Sequence, residues 1–504
     1  MSTNNKLADV QTRRAAILEG GGAEKTAKQH DAGKLTARER INLLFDEGSF
    51  VELDAFVGTD APCDGVICGY GTVDMRPVFA YAQDFTVMGG SVGAMHGKKI
   101  AKVIDMAIKT DAPVIGMLDS GGARIQEGSD ALAGMGLIMQ KTALASGVVP
   151  QIAAVMGPCA GGSAAAAELS DFVFMTEKAA TLYLSGPSVI KGTTGEDLDA
   201  KALGGAMANA EENGNCHVVC ENDESLLFAI RNLLSYLPAN NLEDAPIFDG
   251  DDINRVSPAL NSIIPDNDAE GYDVKTAISE IADAGSVFEI QAFYAKNMVT
   301  ALARLNGTTV GFVANQAAEG GLLDCAAAEK ATRFVRFCDS FNIPLVTLTD
   351  TDGYVASVKE ERNGLARKTA ALAYAYAEAT VPKVNVILRK AYGSAYIAMG
   401  SKHIGADMTY AWPTAQIAVM HADGAANIIY RKEMQTASDP VKARAEFVED
   451  FKNTFANPYE AAKLGYVDDI IEPDSTRPRI IAALLMLAGK RETLPAKKHG
   501  TMPL

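Results

Sequence analysis

The chain repeats itself, and the period is too long for a solenoid. DEGSFVEL at Asp46–Leu53 returns as DAGSVFEI at Asp283–Ile290. APVIGMLDSGG at Ala112–Gly122 returns as IPLVTLTDTDG at Ile343–Gly353, and VPQIAAVMGPCAGGSAAA at Val149–Ala166 as VPKVNVILRKAYGSAYIA at Val381–Ala398. The three matches keep their order and an offset of 231 to 237 residues. Solenoid repeats run to roughly 20–50 residues, so the unit repeated here is a whole domain. Two copies of one fold also suit 504 residues, which are too many for one hydrophobic core.

Each copy alternates apolar runs with helical patterns, which predicts an α/β fold. Val78–Ala82, Val114–Leu118 and Gln151–Met156 read as strands. Gly93–Thr110 reads as a helix, with Ile100, Val103, Ile104 and Ala107 at helical spacing. Thr36 is a natural N-cap with Glu39 as its capping-box partner, opening a helix that ends near Gly48. Phe50–Leu53 then starts a strand. The first 19 residues form an amphipathic pattern, with Leu7, Val10, Ile17 and Leu18 on one face, stopped by Gly20-Gly21-Gly22. Residues 237–271 hold four prolines and a run of acids, the composition of an exposed linker. The expected division is an N-terminal helix at 1–29, a first domain at 30–240, a linker at 241–275 and a second domain at 276–504.

Chemistry points to the turns. Gln151–Met156 is bounded by Gly157 and Pro158, Cys159–Ser163 reads as a turn of small residues, and Ala164–Glu168 starts a helix. Backbone N–H groups at such a junction lack partners, and glycines there let a carbonyl approach closely. That is how an oxyanion hole is built from backbone alone. The same small residues also suit tight packing of the helix on the sheet. A second glycine turn, DSGGARIQEG, follows the strand Val114–Leu118, a usual place for function in α/β folds. Neither turn is a G-x-G-x-x-G fingerprint or a P-loop, so recognition of a carbonyl is favoured over nucleotide binding. In the second copy the equivalent turn is Tyr392-Gly393-Ser394-Ala395, and two equivalent turns suggest a reaction with two developing oxyanions. Leu182–Glu196 is a polar, Gly-rich stretch too long for a simple connection.

Other plans fit poorly. A formal charge of −17 leaves no basic surplus for nucleic acid. Lys34, Arg38 and Arg40 form a local positive cluster that either meets an anionic ligand or is a solvated helix face. No apolar run reaches the roughly 18 residues of a membrane span, and MSTNNKLADV is no signal peptide. The seven cysteines are scattered, as in a reducing cytoplasm. Cys63/Cys68 and Cys216/Cys220 lie close, but only His217 joins them at ligand spacing, so no metal site is expected. There is no G-x-S-x-G elbow, and none of the six histidines stands in a triad or metal pattern. Glu127 and Glu168 follow the two turns of the first copy and could act as bases, though each reads first as a helix-turn or packing carboxylate.

HDAGKLTARERI, DSGGARIQEG, GPCAGGSAAAAE, SGPSVIKGTTGE, FCDSFNIPLVTL, YAYAEATVPKV, RKAYGSAY, MGSKHIGAD and AWPTAQIAVM together make the chain recognisable. From about His30 to Pro495 it resembles the carboxyltransferase subunits of biotin-dependent acyl-CoA carboxylases. These include the propionyl-CoA carboxylase β subunit and the α subunit of the sodium-pumping methylmalonyl-CoA decarboxylase. The resemblance implies two tandem crotonase-like domains, with acyl-CoA mainly on the first and carboxybiotin on the second domain of another subunit. It implies a carboxyl group moved between carboxybiotin on a carrier and the α-carbon of a short-chain acyl-CoA. Propionyl-CoA/methylmalonyl-CoA and acetyl-CoA/malonyl-CoA are the expected pairs.

By this resemblance Gly161 and Gly162, and Ser394 and Ala395, supply the two oxyanion holes. Gly121, Gly122, Ala123, Arg124, Lys34, Arg38 and Ile397 fall on the acyl-CoA side, Tyr392 and Gly393 on the biotin side. Lys34, Arg38 and Arg40 could meet the CoA phosphates. Two departures stand out. Where the family carries a GFLPG-type stretch, this chain reads Asp350-Thr351-Asp352-Gly353-Tyr354-Val355-Ala356-Ser357, and Ile397 replaces the acid that often follows AYGGAY. A biotinyl-lysine motif and an ATP signature are both missing. The expected partners are therefore a biotin carboxyl carrier protein with a biotin carboxylase, or membrane decarboxylase subunits, around a cytoplasmic hexamer or dimer-based ring. Two alternatives are the reverse reaction in a decarboxylase and a biotin-independent hydratase or isomerase using Glu127 or Glu168.

Overall fold

The structure, a computed structural model, describes residues 2–58 and 61–501. Contacts divide it into two units, Met1–Asp244 and Ala245–Leu504. The first unit opens with three helices: α1 (Thr3–Leu18), α2 (Ala23–Asp31) and α3 (Ala37–Leu44). α1 has the length its sequence predicts, but it buries no residue, and Leu7 and Leu18 are 58% and 53% exposed. α2 was not legible, because it is polar throughout. The capping box of α3 forms as read: Glu39 N–H donates to Thr36 Oγ1 at 3.3 Å, and Thr36 N–H to Glu39 Oε2 at 2.7 Å.

Eight strands follow: β1 (Val51–Leu53), β2 (Val66–Val73), β3 (Arg76–Gln83), β4 (Val114–Ser120), β5 (Gln151–Ala160), β6 (Phe172–Thr176), β7 (Thr181–Tyr183) and β8 (Val218–Cys220). They form one sheet in the order β1-β2-β3-β4-β5-β6-β8, with β7 paired to the far end of β5. β1, β2 and β3 pair antiparallel, and every later pair is parallel. The parallel strands are the continuous apolar runs of the sequence, because crossover helices cover both faces. Three of these helices are α4 (Ala94–Lys109), α5 (Ser129–Ala145) and α6 (Gly162–Glu168). α4 buries Ile100, Val103, Ile104 and Ala107, the stripe read from its spacing. The stretch Leu182–Glu196 contains a helix, Pro187–Thr194, with Pro at its start and Gly195 closing it in the left-handed conformation.

The second unit rebuilds the same sheet from β9 (Phe288–Ile290), β10 (Met298–Leu305), β11 (Thr308–Asn315), β12 (Leu345–Thr351), β13 (Lys383–Tyr392), β14 (Met408–Ala411), β15 (Gln416–Ala418) and β16 (Asp469–Ile470). Its order is β16-β14-β13-β12-β11-β10-β9, with β15 on the end of β13, strand for strand the same as the first. The stretch after Asp244, expected to be an exposed linker, packs into this unit. Leu260 and Tyr272 are buried in its core, and Arg255 donates to the carbonyls of Glu280 and Ala282.

The repeat extends to single hydrogen bonds. Asp46 accepts from the N–H groups of Asp74 and Met75 at 3.1 and 2.9 Å, and Asp283 from those of Asn306 and Gly307 at 3.1 and 2.7 Å. Each pair is the two-residue loop of a hairpin, and all four residues have positive φ, the geometry that matches strand twist. A non-glycine residue is strained there, and the aspartate holds it in place. Arg231 pairs with Asp46 and Arg477 with Asp283, at 2.9 and 2.6 Å. The DxGS motif that revealed the repeat is therefore a hairpin clamp.

Candidate active site

In the first unit β4 and β5 run parallel, and their ends bring the two glycine turns together. Ser120 pairs with Cys159, and a Cβ on Gly122 would lie 3.4 Å from the Ala160 carbonyl oxygen. Gly122 has φ +105 and Gly161 φ 63 with ψ −129, conformations that exclude side chains at little cost only for glycine. The strand runs to Ala160 and α6 begins at Gly162, so the turn is shorter than the Cys159–Ser163 expected. Gly161 N–H is spent on the Tyr183 carbonyl at 3.0 Å. Gly162 and Ser163 are the first two residues of α6, whose N–H groups have no partner within the helix. A Cβ on Gly162 would meet Met135 Cγ at 2.6 Å, so Met135 floors the turn.

The second unit repeats this geometry. β13 ends at Tyr392, Gly393 has φ 63, and the helix Gly393–Ala398 follows. Strand end matched to strand end, Gly161 corresponds to Gly393, Gly162 to Ser394 and Ser163 to Ala395. The expected pairing of Gly161-Gly162 with Ser394-Ala395 is thus one residue out of register. Here the turn carries side chains. Tyr354 Oη donates to Ser394 Oγ at 3.1 Å, and Tyr392 Oη donates to Gln416 Oε1 at 2.6 Å. Ile397 sits on the same short helix, partly buried.

The basic residues assigned to acyl-CoA all have partners within the chain. Lys34 Nζ is buried between both oxygens of Asp119, at 2.9 and 3.0 Å. Arg40 is wholly buried, donating to Asp119, Asp223 and the Met156 carbonyl at 2.9, 2.7 and 3.0 Å. Arg38 clasps Glu52 through both terminal nitrogens. Arg124 uses all five of its N–H groups, on Ser91 Oγ, Asp64 Oδ1, Glu127 Oε1 and the carbonyls of Asp64 and Ser91. A phosphate would have to break buried ion pairs to recruit any of Lys34, Arg40 or Arg124, and stripping one partner of such a pair is costly. Lys34 and Arg40 thus anchor the end of β4 through Asp119, Arg124 ties the turn after it to Asp64 and Glu127, and Arg38 forms a partly exposed pair with Glu52 of β1. Gly121 and Ala123 remain exposed on the turn.

Glu127 is a cap. Its Oε2 accepts from Ala94 N–H at 2.7 Å, the first residue of α4, and this bond with the Arg124 pair holds its carboxyl below the ordinary value. Glu360 does the same for Cys325, the first residue of the helix Cys325–Ser340, at 2.9 Å. The reading of Glu127 as a structural carboxylate is the one the geometry supports, and a base with its lone pairs so engaged serves a hydratase poorly.

Sequence reasoning missed the anchors beneath the turns. Asp119, the last residue but one of β4, is fully buried and also accepts from Gln29 Nε2 at 2.9 Å. Asp350 stands at the matching place in β12 and pairs with Arg389 Nε at 3.1 Å, while burial pushes its carboxyl up. Both are the D of the repeated LDSGG and TDTDG strings, which was the available signal. Beside Tyr354, Asp352 takes Lys390 Nζ on Oδ2 at 2.6 Å, and its other oxygen is buried without a hydrogen-bond partner among the described residues. Among the described residues no three His, Cys, Asp or Glu side chains converge as a metal site would need, and no helix is long and apolar enough to cross a membrane.

Known proteins share this arrangement over its whole length. The carboxyl transferase domain family matches residues 28–502. The methylmalonyl-CoA decarboxylase α subunit of Propionigenium modestum is 49% identical over 99% of both chains. The propionyl-CoA carboxylase carboxyltransferase subunit of Haloferax mediterranei is also 49% identical, over 100% of both. A crystal structure of transcarboxylase 12S, a hexamer with methylmalonyl-coenzyme A and methylmalonic acid bound, superposes with a TM-score of 0.98 at 47% identity, covering 100% of this chain and 99% of that one. The two units are therefore tandem crotonase-like domains, and the chain belongs to the carboxyl transferase family as a biotin-dependent acyl-CoA carboxyltransferase.

Proposed function

We propose that the two glycine turns are the paired oxyanion holes of this carboxyl transfer, the first for a short-chain acyl-CoA thioester and the second for biotin presented by a carrier protein. The observation that carries it is the recurrence of one turn: Gly161 and Gly393, both at φ 63, at the ends of equivalent strands in two copies of one fold. In the reaction the N–CO₂ bond of carboxybiotin breaks, a C–C bond forms at the α-carbon, and the α-proton passes to biotin. Carboxybiotin brings both the activated carboxyl group and the nitrogen that takes this proton, so the protein needs no side-chain base.

The protein's part is to hold negative charge where it develops. Gly161 N–H is already bonded to Tyr183, so the first hole falls to Gly162 and Ser163. Preorganised donors of this kind are typically worth about 10²–10³ in rate each. Proline is tolerated at the first position of a helix and has no N–H. Gly162→Pro, made with Met135→Ala to clear the 2.6 Å approach, removes one donor. Methylmalonyl-CoA-dependent carboxylation of free biotin should fall roughly a hundredfold or more relative to Met135→Ala alone, with the circular dichroism spectrum kept. Equal turnover in the two proteins would sink the assignment.

Relatives from carboxylases and decarboxylases stand at the same identity, so the same site serves either direction and the partner sets it. Co-purification with a biotin carboxylase, or with a membrane subunit, decides between them. A cytoplasmic, ring-shaped hexamer is the assembly this reading expects.

A further inference from the structure

We infer that the second unit recognises the ureido group of biotin through a hydroxyl pair, Tyr354 and Ser394, that the first unit lacks; the inference rests on the carboxyltransferase reading. The two units supply their own comparison. Leu323 bridges Tyr354 as Val92 bridges Ala123, so Tyr354 stands where the first unit has a methyl group. Ser394 stands where it has Gly162. The first unit therefore presents bare backbone across its two turns, and the second a phenol hydrogen-bonded to a hydroxymethyl at 3.1 Å.

The pair is held in place. Leu323 N–H donates to Gly353 O, and Val355 N–H donates to Leu323 O, both at 2.9 Å, so the backbone on either side of Tyr354 is fixed. Ser394 is exposed. With the phenol donating to Oγ, the serine's own proton is free to turn toward a ligand on the turn, and a donor that also accepts is polarised into a stronger one. Two residues before Tyr354, Asp352 holds Lys390 Nζ on Oδ2 at 2.6 Å, and its Oδ1 is buried 4.0 Å from His421 Nε2. The two ring nitrogens of a cyclic urea feed electron density to its carbonyl oxygen, which makes it a strong acceptor and suits a turn with an added hydroxyl donor. A thioester carbonyl is a weaker acceptor and suits the bare turn of the first unit. Ser394 is thus the residue that touches the substrate, and Tyr354 positions it.

The test uses the full chain and titration calorimetry with free biotin and, separately, methylmalonyl-CoA. Tyr354→Phe should weaken biotin roughly fivefold and Ser394→Ala roughly tenfold. The double variant should be no weaker than Ser394→Ala, because Tyr354 acts through Ser394. Ser394→Thr should keep most of the affinity. In transfer assays KM for biotin should rise while KM for methylmalonyl-CoA stays. Multiplying losses in the double variant, unchanged biotin affinity in the single ones, or an equal loss of acyl-CoA affinity each overturn the inference. If the wild-type chain transfers no carboxyl group from methylmalonyl-CoA to biotin, the carboxyltransferase reading fails and takes this with it. If it does so and the variants match it, only the hydroxyl pair is wrong.

Discussion

Asp119 shows how much one residue at a strand end can organise. Its carboxylate lies directly under the β4 turn, and a Cβ on Gly157 of the next strand would collide with it. Two cations from the N-terminal segment, Lys34 and Arg40, neutralise it. In the second unit the strand itself solves the same problem. The position equivalent to Gly157 is Arg389, whose guanidinium pairs with Asp350. One copy thus imports its counter-charge from the N-terminal segment, and the other carries it on the neighbouring strand. Arg40 reads in sequence as part of a solvated or ligand-facing basic cluster, because local spacing cannot show that two distant carboxylates, Asp119 and Asp223, converge on it. Removing it leaves Asp223 buried without this cation and Asp119 with Lys34 as its counter-charge. Arg40→Leu should lower stability by about 3–5 kcal/mol, seen as a drop in the thermal midpoint. Arg38→Leu, which breaks a partly exposed pair with Glu52, should cost well under half as much. Equal losses would show that burial is not what makes the difference.

At the scale of the element, α4 carries both what was legible and what was not. Its apolar stripe was plain from periodicity, because a helix face depends only on residues three and four apart. Its cap was hidden, because Glu127 arrives from across a strand and a turn. The Thr36–Glu39 box, with both partners within one turn, could be read at once. α4 also buries His96, with Nδ1 2.9 Å from the Asp64 carbonyl oxygen and Nε2 3.2 Å from Gln83 Nε2. A carbonyl only accepts, so Nδ1 carries the proton, Nε2 accepts from the Gln83 amide, and the ring is neutral. Burial, with Arg124 and Lys99 nearby, pushes its pKa down to about 3. In the unfolded chain a histidine takes its proton near pH 6.5. Between these values the unfolded state holds a proton that the folded state refuses, so stability falls as the pH drops from about 6.5 toward 3, by at most about 1.4 kcal/mol per pH unit. His96→Gln removes that proton from the balance. Thermal midpoints measured between pH 7 and 4 should then decline less steeply than in the wild type, and an unchanged slope would count against a neutral His96.

The whole molecule was legible because it is written twice. A single strand–turn–helix with glycines is ambiguous between a binding turn and tight packing; two copies at one offset establish the duplicated fold and put Gly161 and Gly393 at equivalent strand ends, both at φ 63. What the repeat could not give was the boundary. The proline-rich, acidic stretch after Asp244 has the composition of a linker, yet it packs through Leu260 and Tyr272 against strands and helices that come later in the chain. Composition reports solvent affinity averaged over a stretch, and two well-placed apolar side chains suffice to dock it. The core these residues join is drawn entirely from the second unit: Val274, Ile278 and Ile281 from its first helix, Val299, Phe312, Val346 and Val386 from its sheet, and Ile480 and Ile481 from its last helix. A domain with its own core is expected to fold by itself. Residues 245–504 expressed alone should therefore melt cooperatively, while residues 276–504, cut at the boundary that composition suggests, should melt at a lower temperature or aggregate. Losing Leu260 and Tyr272 uncovers that core, and burying a large side chain is worth roughly 1.5–3 kcal/mol. Equal midpoints for the two fragments would return the stretch to the status of a linker.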